Sequence, residues 1–114
     1  MLNPFQHDIV LQAARNCIEI EAQVVADLKN QIQESFVKCV QLIYECKGRL
    51  VVTGIGKSAI VGQKMVATFN STGTPSLFMH AADAIHGDLG MIRPEDIVLC
   101  ISKSGETPEI KVLL

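Results

Sequence analysis

Tryptophan is absent from this 114-residue chain, and only one Tyr and four Phe are present. Stacking platforms for single-stranded nucleic acid are therefore in short supply. A basic excess is also lacking: ten Lys and Arg face twelve Asp and Glu, for a formal charge of −2. That balance excludes a general DNA-binding surface. No apolar run approaches the ~18–20 positions needed to span a bilayer. The opening MLNPFQHDIV carries no basic stretch leading into an apolar core, so it does not read as a secretory signal. The four cysteines, Cys17, Cys39, Cys46 and Cys100, form no CxxC pair and no Cys/His zinc spacing. Their settings in apolar patterns predict buried, reduced thiols in a cytoplasmic protein. Neither nucleic acid nor membrane is an expected partner.

What is present is apolar: 48% of residues, against 19% charged. Such a chain folds rather than remaining disordered, and its length allows one domain at most. Residues 7–29 carry Val10, Ala14, Cys17, Val24 and Leu28 at three- and four-residue steps, and 31–47 repeat the pattern through Ile32, Phe36, Cys39, Val40 and Ile43. Two helices are predicted there, with Gly48 as the stop. The period then changes. Arg49–Thr53 is a β-branched run, 58–70 returns to helical spacing, and Ser76–His80 is a second strand. Residues 81–89 predict a short helix or ordered loop, 93–96 a turn, and Ile97–Ile101 a third strand. A polar loop follows, with a helix starting near Thr107-Pro108.

Helices alternating with nearly continuous Val, Ile and Leu strands predict a parallel, doubly wound α/β sheet buried on both faces, preceded by two helices. Ligands in such sheets bind beyond the carboxyl ends of the strands. Those ends are Gly54–Ser58, His80 onward, and Ser102–Thr107, so the three polar loops are expected on one edge. The third strand is expected as an exposed edge unless another strand or subunit pairs with it. Residues 110–114 leave a helix barely begun, so the fold is expected to be truncated after that strand.

Gly54-Ile55-Gly56-Lys57-Ser58-Ala59 fits G-x-G-x-x-G/A, but the second strand ends at Met79-His80 with no acid to hold a ribose, which argues against a dinucleotide. A Walker A loop would need Gly where Val51 stands. What remains is a tight turn that puts Lys57 at a helix N-terminus, a place for phosphate or a sugar oxygen. A structural turn with a solvated Lys is the alternative. Ser102, Ser104 and Thr107 could make a phosphate cradle or simply cap a helix. Glu109 reads equally as a nearby acid or as a dipole-complementing surface residue. His80 and His86 read as structural histidines, or as donors and proton shuttles at a strand end.

Taken together, LVVTGIGKS (50–58), STGTPS (71–76), HGDLGM (86–91) and ISKSGE (101–106) resemble a SIS (sugar isomerase) domain. More narrowly they are similar to the D-arabinose-5-phosphate isomerases of bacterial lipopolysaccharide and capsule biosynthesis. The resemblance runs from about residue 10 to the end and covers only the first part of that domain. Residues 1–48 then form an N-terminal helical segment packing on the SIS domain, and 49–114 its first part. The resemblance implies interconversion of D-ribulose 5-phosphate and D-arabinose 5-phosphate through an enediol, toward the Kdo sugar, with no cofactor required. It implies Lys57 and Glu109 as catalytic, and Gly73, Thr74, His80 and His86 as substrate contacts. Ser102, Ser104 and Thr107 match its phosphate loop, the His80 position is linked to zinc, and the assembly is a homotetramer. Lys103 stands where the family's loop has Asn, and Ala59 where it has Gly. A further catalytic Glu and His of the family have no counterpart before Leu114. Two other readings stand beside the enzyme: a non-catalytic sugar-phosphate-binding module, and a structural oligomerisation remnant.

Overall fold

A computed structural model describes residues 5–104. The expected helix over 107 onward, with Thr107 and Glu109, lies outside the described residues. The chain divides into two compact units, Met1–Cys39 and Val40–Leu114.

In the first unit, α1 (His7–Asp27) forms from the apolar periodicity noted above, with Asp8 in its first turn complementing the helix dipole. Same-face pairs Gln12–Asn16 (2.7 Å) and Gln23–Asp27 (2.8 Å) brace it. A 3-10 turn, Leu28–Gln31, follows directly. No α1 residue is buried: Ile9, Ile18, Ile20, Val24 and Val25 are all more than half exposed. The second helix, α2, covers Glu34–Glu45 and also lacks a buried residue. Cys17 and Cys39 are consequently exposed, and Cys46 and Cys100 only half-buried, which corrects the expectation of four buried thiols. The helical apolar stripe that holds the first two is real, but no described residue covers it.

The second unit holds a three-stranded parallel sheet in the order β2-β1-β3, formed by β1 (Leu50–Gly54), β2 (Ser76–His80) and β3 (Ile97–Cys100). Side chains alternate across a strand, so β1 feeds two layers at once. Val52 and Phe78 face α3 (Lys57–Ser71), where Gly62 comes so close that a Cβ would lie 3.0 Å from the Phe78 ring. Val51, Met79 and Leu77 face the other way, packing with Ala84 of α4 (Ala81–Ile85) and with Ile92. This is the doubly wound arrangement the strand composition predicts, with β1 central and wholly buried. Strand β3 is the outer strand beside β1, and its Val98 is 41% exposed.

Candidate functional site

Register decides which loops meet. Gly54 pairs with His80, Thr53 with Cys100, and the Ile101 amide donates to the Thr53 carbonyl at 2.9 Å. The carboxyl ends of all three strands therefore finish level, and the segments after them start from one edge. On that edge lie the Gly54–Lys57 turn, His80, and the half-buried Ser102 with the exposed Ser104.

Two glycines build the turn that presents Lys57. A Cβ on Gly54 would sit 3.2–3.3 Å from Ser58, Ala59 and the Ile101 carbonyl, so the first turn of α3 and the end of β3 close directly onto β1. Gly56 then adopts φ 62°, ψ −132°, a backbone that L side chains avoid, and the helix begins at the next residue. The start of α3 has no side-chain cap and no acid in its first turn. Lys57 is exposed, and among the described residues its ammonium makes no hydrogen bond or ion pair. A cation beside uncapped N–H groups opposes the helix dipole, so this end of α3 carries positive charge that an anion would neutralise.

His80 is placed on the edge but its side chain is already committed. Its Nδ1 accepts the Ala82 amide at 3.2 Å, capping α4, and its ring stands edge-on to Phe78 at 6.4 Å. In the neutral imidazole that bond leaves the proton on Nε2, making Nε2 a donor to a hydroxyl rather than a metal ligand. Among the described residues no group of three His, Cys, Asp or Glu side chains comes together.

The remaining residues are dispersed. His86 follows α4 as its exposed C-cap, one short helix removed from the edge. Gly73 and Thr74 lie at the opposite, amino-terminal edge of the sheet, about 13 Å away along the strands. There Gly73 (φ 94°) and the Thr74 amide, which donates to the Phe69 carbonyl at 2.9 Å, form the six-residue stop of α3. A loop leading from a helix into a parallel strand has to lie at that end. The structure does not bring these two residues to Lys57 within the chain. Burial pushes the Cys100 thiol up, which keeps it neutral and unreactive. An apolar groove of about 400 Å³ runs along α3, lined by Ile60, Val61, Lys64, Met65, Thr68 and Phe69, and contains none of the residues singled out from the sequence.

Sequence reasoning missed one polar cluster, at the amino edge. Asp96, its side chain fully buried, accepts from Arg49 Nη2 and from the Arg49 and Arg93 amides, each at 2.8 Å, and from Arg49 Nε at 3.4 Å. The Arg49 hydrogen bond foremost, then the two amides, hold its carboxyl well below the usual carboxylate range. The only sequence signal was an Arg and an Asp each placed just before a strand.

The chain is similar to known proteins. The SIS domain model matches residues 42–114. Arabinose 5-phosphate isomerase KdsD of Escherichia coli K12 is 48% identical over 103 residues, covering 90% of this chain and 31% of that protein. The protein of the same name from Yersinia pestis is 50% identical over the same shares of each chain, 90% and 31%. Among solved structures, an E. coli CFT073 protein in complex with arabinose 5-phosphate superimposes with a TM-score of 0.90 at 37% identity, covering 96% of this chain and 58% of that one. The chain thus spans 31% of the length of the curated relatives it matches.

Proposed function

Because the chain belongs to the SIS domain family, we propose that it acts in the aldose–ketose isomerisation of D-ribulose 5-phosphate and D-arabinose 5-phosphate, as part of Kdo and lipopolysaccharide sugar supply in the cytoplasm. The observation that carries this reading is the common edge: a Lys57 at a helix start that no described residue caps or compensates, level with His80 and with the Ser102–Ser104 segment. It is supported by the likeness to proteins named arabinose 5-phosphate isomerase and to a structure holding that sugar phosphate.

In this reading the Ser102, Ser104 and Thr107 hydroxyls hold the phosphate. Isomerisation then requires a base to carry a proton between C1 and C2, and a positive group to stabilise the enediolate oxygen. Lys57 supplies the positive group, and Glu109 the base or the group that orients it. His80 Nε2 and His86 donate to sugar hydroxyls. The exposed apolar face of α1 fits self-association, with the tetramer as the expected form.

Conversion of arabinose 5-phosphate to ribulose 5-phosphate, followed by proton NMR with calorimetric binding in parallel, tests the proposal. Turnover supports it. Binding without turnover favours the sugar-phosphate-binding module instead, and neither binding nor turnover overturns both.

A further inference from the structure

We propose that Arg49 is a positioning residue for His86, acting from the far edge of the sheet through the carbonyl of Met91. The proposal rests on the phosphosugar reading above. Residues 85–91 are all exposed, between a buried Ala84 and a half-buried Ile92 that pack on the sheet. The stretch otherwise makes only short-range bonds: His86 N to Asp83 O, Gly87 N to Ala84 O, Gly90 N to Gly87 O and Ile92 N to Leu89 O, at 3.1–3.2 Å. Such turns set local shape but do not fix where the segment lies. Among the described residues one hydrogen bond leaves it for another part of the chain, from Arg49 Nη2 to the Met91 carbonyl at 2.8 Å.

The anchor is itself rigid. Asp96 engages Nη2 and Nε of the same guanidinium, so the fork can be satisfied in one orientation only, and that orientation aims Nη2 at Met91. Arg49 and Asp96 immediately precede β1 and β3, and the Ile97 amide donates to the Arg49 carbonyl at 3.0 Å. The anchor point is thus tied to two strands of the sheet. Without it, His86 holds its place in only a fraction of molecules, and apparent sugar affinity falls by that fraction. Phosphate capture, which lies with Lys57 and the serines, is untouched.

Calorimetric dissociation constants of the chain for arabinose 5-phosphate and for inorganic phosphate, read beside amide exchange, test this. Arg49→Met should raise the sugar-phosphate constant roughly three- to tenfold. It should leave the inorganic phosphate constant within about twofold and speed exchange at Leu89–Ile92. In a His86→Asn background Arg49→Met should add nothing further. If Arg49→Met does not fold, Arg49→Gln, which can meet Asp96 but is too short for Met91, carries the same expectation. An unchanged sugar-phosphate constant in a folded variant overturns the proposal, as does an equal loss for both ligands, which marks a merely structural role. A wild-type chain with no preference for the sugar phosphate over phosphate overturns the functional reading instead.

Discussion

Thr53→Val should stabilise this protein. Thr53 lies in the central strand, fully buried, and among the described residues its Oγ1 has no hydrogen-bond partner. By strand alternation it shares a face with Val51 and Met79, an apolar layer that offers nothing to a hydroxyl. Burying such a group unpaired costs about 1–3 kcal/mol. Valine replaces it with a methyl of nearly the same shape and adds apolar burial of about 0.8 kcal/mol. Against this stands the slightly larger volume of valine in a fully buried site, where tight fits take back about 1 kcal/mol. The net expectation is a gain of about 1–2 kcal/mol, or roughly 4–10 °C in melting temperature for a domain of this size. Urea titration should show a higher midpoint at unchanged slope. Thr53→Ser is the companion: it keeps the orphan hydroxyl, deletes a buried methyl, and should destabilise by about 1 kcal/mol. A Thr53→Val protein less stable than wild type would refute the reasoning, because it would show that the hydroxyl is paired in solution.

Other expectations follow from the two edges of the sheet. Gly48→Ala places a Cβ 2.5 Å from the Glu95 carbonyl and 2.7 Å from Asp96 Oδ1, so the turn entering β3 must shift; a loss of about 1–3 kcal/mol should appear in urea titration. Folded Asp96 takes up its proton only well below the usual range, so the unfolded chain protonates first as pH falls. Its contribution is complete above about pH 4 and is lost as pH drops through the folded value; Asp96→Asn should flatten that acid limb in pH-dependent unfolding. Lys57→Ala should weaken arabinose 5-phosphate binding about 10- to 100-fold, the loss of one charge-assisted contact, while leaving the melting temperature unchanged or slightly higher. Sedimentation should show self-association through the uncovered apolar faces, and a concentration-independent monomer would refute it.

Much of the fold was legible because the period of hydrophobicity changes cleanly. Ser76–His80 matches its predicted bounds, and β1 and β3 differ by one residue at an end, since short apolar runs set off by turn residues leave little freedom. The carboxyl-edge gathering was legible too, because it follows from parallel strands and loop order alone. Burial was not. Cys17 and Cys39 sit on genuine amphipathic stripes, but a stripe records that a face wants cover and not what covers it. Nor was the Arg49–Asp96 pair, whose members are 47 residues apart and meet only through strand register. Gly73 and Thr74 carry a motif whose local job, stopping α3, is visible only when the Phe69 carbonyl is seen to accept from Thr74.

The parallel sheet separates holding from binding. Arg49 and Asp96 stand at the amino edge, where their hydrogen bonds tie strand starts together, with Gly48 packed closely against Asp96. Lys57, His80 and Ser102 stand at the carboxyl edge, where no described residue caps the start of α3. Substitutions at the first edge should therefore move stability, and those at the second should move affinity, with little crossover. Residues 81–96 are the exception, because they leave the carboxyl end of β2 and return to the amino end of β3. That path holds the amino-edge contact of Arg49 with Met91, and on it the proposed positioning of His86 would act. Coupling between the edges should therefore appear in variants of this crossover and its anchor, and be absent from equally destabilising variants elsewhere.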